Sequence, residues 1–327
     1  MRWIKEHKDI YCVKAVVISV IFLLTFGTAR GQEKPGASLL NELKASGFRI
    51  IFASRGTTNQ NGNSELYLCK ADGSELVNIT NTADYDERIP RVHWKSGRVA
   101  FIKATCASGT LKRDSRHGTL VFMGIDGKNL EETNVTGNDM SWHPDGTKLA
   151  LQFVHGWPNW KNGFRIYDLQ TKQLQIVGNQ VGLLELDWSF DGKMLVCRQN
   201  YKIMVMNADG TNFRPFYAAP NPKECPYCHP CWHPLKLTVA WNSRQGLLVG
   251  DYNPSDGSAT NVHSVVSFKD VGWEDPCPRW SPDGKYILWI TQSKRLHVVR
   301  VSDQVFAELA IPREWRVEVW DYDWVAK

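Results

Sequence analysis

The chain has 327 residues, is 43% hydrophobic and 11% aromatic, and carries a net charge of +5. That composition excludes a disordered chain and fits two average domains or one large all-β domain. The charge balance is too weak to argue for nucleic acid or a membrane surface as a partner.

Residues 1–29 read as an export signal. Arg2, Lys5, Lys8 and Lys14 form a basic start, Ala15 to Phe26 is an apolar run, and Gly27-Thr28-Ala29 offers small residues for cleavage. The apolar run is shorter than the roughly 20 residues a spanning helix needs, and no second run of that length follows. Cleavage leaves no transmembrane segment and places the protein outside the cytoplasm, periplasmic or extracellular. It removes four basic and two acidic groups, lowering the net charge from +5 to +3. Residues 30–46 are a short lead, and 47–327 form one domain.

A repeat organises that domain. Trp94, Trp142, Trp188, Trp232, Trp280 and Trp324 recur at gaps of 48, 46, 44, 48 and 44 residues. A period of about 40–50 residues is that of a four-stranded propeller blade. WHPDG (142–146), WSFDG (188–192) and WSPDG (280–284) each place a tight Asp-Gly turn after the tryptophan, and an apolar strand follows. A second turn recurs in KADGSEL, GIDGKNL and NADGTNF. Each unit is therefore four short strands, and the whole is an all-β, six-bladed propeller. Trp324 is followed by only three residues, so the sixth blade is completed from the other end of the chain: FRIIFAS (48–54), ELYLCK (65–70) and ELVNIT (75–80) join the VEVWDYDW strand. The six tryptophans are expected in the core.

WSPDGKYILW and NADGTNF resemble the TolB-type (PD40, WD40-like) propeller repeat over residues 45–327. The resemblance implies a rigid propeller that serves as an interaction scaffold, as a propeller domain beside enzymes, or as a metal-dependent lyase. WKSGRVAF and WHPLKLTVAW depart from the repeat because they lack Asp-Gly.

Strand alternation puts the long loops 55–64, 105–118 and 155–163 on one face of the ring and the Asp-Gly turns on the other. Trp157 and Trp160 in the third loop are candidate anchors for a protein partner on the long-loop face. KECPYCHPCWHP (223–234) enters the channel mouth from that same side. Cys225, Cys228 and His229 match the c-type haem attachment pattern. A zinc clip drawn from Cys225, Cys228, His229, Cys231, His233 and Cys277 is a second reading, and Cys231–Cys277 and Cys225–Cys228 disulfides are a third. Glu185, Asp187, Glu274, Asp275, Asp321 and Asp323 crowd the inner strands, where a ring of carboxylates could bind a cation or a basic peptide but more often caps strands and lines a wet channel.

These features point to an exported, non-catalytic propeller that binds a protein or forms a subunit of an envelope complex. One alternative is a haem c electron-transfer protein, or a propeller subunit of a multihaem assembly of the hydrazine synthase kind. The other is a metal-dependent lyase or hydrolase working at the channel mouth.

Overall fold

The computed structural model describes residues 35–56, 63–105, 118–152, 163–219, 221, 229–271 and 277–327. It begins with helix α1 (Pro35–Ala45), inside the segment expected to be a plain lead. Leu39 and Leu43 lie one turn apart on the same helix face and are fully buried against the propeller. Glu42, on the polar side, is tied to Tyr286 and Arg300. The signal for this helix was SLLNELK followed by Gly47, whose φ of 79° suits the chain just beyond a helix end.

Six four-stranded antiparallel sheets follow. β1 (Arg49–Ser54), β2 (Glu65–Lys70) and β3 (Val77–Asn78) are the outer three strands of the sixth blade. The first blade is β4 (Tyr85–His93), β5 (Arg98–Thr105), β6 (Gly118–Gly124) and β7 (Glu131–Gly137). The second is β8 (Met140–Trp142), β9 (Lys148–Leu151), β10 (Phe164–Asp168) and β11 (Leu174–Val177). The third is β12 (Leu183–Trp188), β13 (Met194–Gln199), β14 (Lys202–Asn207) and β15 (Arg214–Ala218). The fourth is β16 (Cys231–Trp232), β17 (Thr238–Ser243), β18 (Gly246–Tyr252) and β19 (Ala259–Ser267), followed by a single helical turn, α2 (Phe268–Val271). The fifth is β20 (Arg279–Trp280), β21 (Tyr286–Ile290), β22 (Leu296–Arg300) and β23 (Phe306–Glu308). β24 (Val317–Val325) completes the sixth blade, pairing with β1 through Asp323↔Ile51 and Trp324↔Ile50. The expected closure by the two ends of the chain is what the sheet order shows.

The core is a set of wedges between neighbouring blades. Each of the six buried apolar clusters draws on two adjacent sheets. Side chains alternate along each strand, so each sheet fills the wedge on both of its faces. Trp142, Trp188, Trp232, Trp280 and Trp324 are buried at one structural position, directly before the turn. Trp94 is not their equivalent. Strand pairing puts Val92 opposite Val99, just as Trp188 faces Leu195 and Trp280 faces Ile287. Val92 therefore fills the tryptophan place in the first blade, and Trp94 sits two residues further on and only partly buried.

No helix among the described residues is long and apolar enough to cross a membrane.

Glu87 in β4 gives the fold a pH dependence. Its carboxyl is buried and accepts the Thr82 hydroxyl at 2.5 Å. Burial pushes its pKa up to about 7, a rise the Thr82 bond opposes and the nearby Glu65 assists. A raised carboxyl contributes stability that is complete below the unfolded value near 4.5 and is lost as pH rises through 7. Glu87→Gln is expected to remove this loss, making the variant more stable than the parent at pH 8 but not at pH 4 by up to about 3 kcal/mol. Urea midpoints of both proteins at the two pH values measure it, and equal differences at both would refute it.

Candidate functional site

The inner strands line the channel with two rings of side chains. Strand pairing aligns Arg91, Ser141, Asp187, Cys231, Arg279 and Asp323, one from each blade, directly before the tryptophan position. Two residues earlier come Ile89, Asp139, Glu185, His229, Cys277 and Asp321. At this upper level Ile89, Glu185 and His229 all have left-handed backbones, with φ of 55°, 58° and 35°. In β4 and β12 the register shifts here. Such bulges turn side chains inward at a cost that the surrounding structure must carry.

Most of the ring carboxylates hold blades together. Asp323 accepts the Val92 amide at 2.8 Å, Asp187 the Trp232 amide at 2.7 Å, and Ser141 Oγ the Trp188 amide at 3.2 Å. The Cys231 thiol lies beside the Trp280 amide at the equivalent place. The upper ring repeats the device: Asp321 accepts the Ile89 amide at 2.7 Å and Glu185 the His229 amide at 3.0 Å. Five ring side chains thus fasten the next blade's inner strand. Burial raises the pKa of both Asp187 and Asp323, with Arg279 opposing the rise. Asp321 and Asp323 were expected to cap strands and line a wet channel; both are buried and accept amides of the neighbouring strand, and Asp323 also borders the open cup.

Cations complete the plug. Arg88 pairs with Asp321 at 2.8 Å, Arg91 with Asp139 at 3.0 Å, and Arg198 grips Glu185 through two bonds of 2.9 and 3.0 Å. His229 Nδ1 is 3.2 Å from the same Glu185 carboxylate. Between Asp139, Glu185, His229, Cys277 and Arg279 there remains a space of about 10 Å³, room for one water.

Below the lower ring the channel opens into a cup of about 340 Å³ on the Asp-Gly turn face. Its floor is the six-residue lower ring. The position two after the tryptophan place is apolar in all six blades, and Trp94, Pro144, Phe190 and Pro234 from the first four form the collar of the cup. Phe190 is 39% and neighbouring Leu235 61% exposed at this rim.

Three histidines brace the cup from behind. His93, His143 and His233 each pack on the Asp-Gly turn of the next blade. His233 Nε2 lies 3.2 Å from the Gly284 carbonyl, and its Nδ1 accepts the Leu235 amide at 3.1 Å. Gly284 has a φ of 69°, and a Cβ there would come within 2.2 Å of the imidazole. Burial, helped by Lys236, lowers the His233 pKa to about 4, so the ring is neutral at ordinary pH.

The sequence-derived site residues are dispersed accordingly. Cys225, Cys228, Trp157, Trp160, Glu274 and Asp275 lie outside the described residues. His229 and Cys277 border the upper space, whereas Cys231 and His233 border the cup. Among the described residues no three His, Cys, Asp or Glu side chains are grouped to hold a metal ion. Cys231 is not joined to Cys277: both are free and buried, Cys231 in the lower ring and Cys277 in the upper one. Burial, and then Asp187, raises that thiol's pKa above its usual range. Arg91, Ser141 and Arg279 were not singled out from the sequence. The signal was available as the residue directly before each tryptophan, displaced by the Val92 substitution in the first blade.

No family model matches the sequence, and no curated protein matches it. Solved structures match the fold. TolB from Acinetobacter baumannii superposes with a TM-score of 0.62 at 15% identity, over 85% of this chain and 67% of that one. A chain of a nidogen/laminin complex gives 0.61 at 10% identity, over 85% and 98%. An oligogalacturonate lyase in complex with manganese gives 0.52 at 13% identity, over 79% and 72%. The fold is the TolB-like six-bladed propeller that the repeat resembles.

Proposed function

From this TolB-like fold, we propose that the chain is an exported, non-catalytic scaffold that binds a protein partner through the cup and collar of its Asp-Gly turn face. Export rests on the signal-like residues 1–29. The observation that carries the reading is the collar: six equivalent turn positions are all apolar, and four of them, Trp94, Pro144, Phe190 and Pro234, line an open cavity. Exposed apolar residues rimming a concavity mark binding surfaces. The ring carboxylates are already committed to joining blades, which suits a rigid platform better than a reacting centre. TolB and the nidogen/laminin complex share the fold, and the second is itself an assembly of proteins. The long-loop face, with Trp157 and Trp160, would be a second contact.

The test is purification from the native source. The parent protein is expected to co-purify with a stoichiometric partner, and Phe190→Asp with Leu235→Asp to weaken that partnership at least about tenfold, as truncating a central apolar anchor does. Their thermal midpoints should stay within a few degrees of the parent's, since both side chains are at the surface. A parent protein recovered only as a lone monomer, or a partner indifferent to both variants, would end this reading.

A further inference from the structure

The floor of the cup contains one charged group that balances its neighbours' charge without making a hydrogen bond to them. Asp187 accepts from the Ser141 hydroxyl at 2.7 Å and from the Trp232 amide, and Asp323 from the Val92 and Trp324 amides. Arg91 is paired with Asp139. Arg279 differs. Its Nε, like that of Arg91, is buried with no hydrogen-bond partner among the described residues, but the rest of its guanidinium makes no hydrogen bond there either, and its carbonyl accepts the Trp324 indole N–H at 2.9 Å. The residue is partly exposed and lines both the cup and the small upper space. Burial works against its charge, but Asp139 and Asp323, then Cys277 and Asp187, more than offset this and hold it protonated. A guanidinium is a rigid fork of five donors, and a buried donor left unmade is costly. The buried Nε is out of a guest's reach, but the terminal N–H groups are open to an acceptor that enters the cup.

Charge narrows what that acceptor is. With Arg91 paired to Asp139, Arg279 faces two further carboxylates, Asp187 and Asp323. An entering anion would be placed beside both. An entering cation would meet Arg279 itself. An uncharged group avoids both costs. Each Asp oxygen accepts one bond in the fold and has capacity for another, so the best guest also carries donors. A primary amide has both, with a carbonyl for Arg279 and an NH₂ for a carboxylate.

We propose that the cup grips an uncharged primary amide, an Asn or Gln side chain at the tip of the partner's inserted segment, with Arg279 as its anchor. This rests on the docking reading above and specifies what the partner presents. Apolar residues beside that amide would meet the collar.

The experiment titrates the full-length protein with acetamide, sodium acetate and methylammonium chloride, following arginine side-chain Nε–H signals by NMR. Acetamide should shift one signal saturably. That signal should be missing from Arg279→Met, and acetate and methylammonium at tenfold higher concentration should leave it in place. If Arg279→Met fails to fold, Arg279→Lys and direct assignment of the parent signal identify the residue. An equal or larger shift with acetate makes this an anion site and overturns the proposal. No shift with any probe makes Arg279 a solvated structural charge and overturns it too. The collar variants keep the two ideas separate: partner loss in Phe190→Asp together with an acetamide-silent Arg279 would leave docking intact and remove the amide.

Discussion

Replacing Trp324 by alanine is expected to cost about 3–5 kcal/mol, the range for emptying a large buried aromatic site. Trp324 is fully buried, donates its indole N–H to the Arg279 carbonyl at 2.9 Å, and meets Phe48 edge-on with ring centroids 6.1 Å apart. Tyr286 flanks it on the fifth-blade side at 6.3 Å. The cavity would open in the wedge that joins the last blade to the ring, where α1 also packs, so few neighbours are free to collapse into it. Urea unfolding measures the effect as a lower midpoint at unchanged slope. Trp94→Ala is the control. Because Trp94 stands outside the tryptophan position and is partly exposed, its loss should cost about 1–2 kcal/mol. Equal costs for the two would contradict the assignment of Val92 to the core place.

The second large effect is expected at Asp321. Its side chain is fully buried, and it takes two bonds from Arg88 and one from the Ile89 amide. Asp321→Ala would leave a cation and a backbone amide stranded together. Removing one partner of a buried pair costs about 3–5 kcal/mol. Removing both is different: Arg88→Met combined with Asp321→Leu should recover at least half of that loss, because no uncompensated charge remains. The Ile89 amide stays unpaired in the double variant, which is why recovery stops short of complete. A double variant no more stable than Asp321→Ala would show that the ion pair contributes less than the amide bond.

The architecture was readable because a repeat constrains backbone before it constrains chemistry. The tryptophan period, the Asp-Gly turns and the unfinished blade after Trp324 each follow from strand lengths and turn geometry, and the sheets have that order. Trp94 misled because VHW in the first blade puts His93 where His143 and His233 stand, and a valine fills the tryptophan site. The channel was harder. The acidic residues of the inner strands were visible, but not that Asp187 and Asp323 serve the next strand's amides while Arg279 serves none. That distinction arises between blades, over separations near 45 residues that local pattern does not reach. The cysteine–histidine segment drew notice by density alone. Its described members are divided between the upper space and the cup because alternate ring levels face different chambers.

The split sixth blade also sets an order of assembly. β1 contacts a strand some 262 positions away, whereas the strands of the other five blades find their sheet partners close by in the chain. Contacts of such long span close late, since the entropy of the intervening loop must first be met. During synthesis or translocation the earlier blades would condense while β1 still offers one open edge. The last nine-residue strand then seals the circle, so the ring is closed only when the chain's final residues are in place.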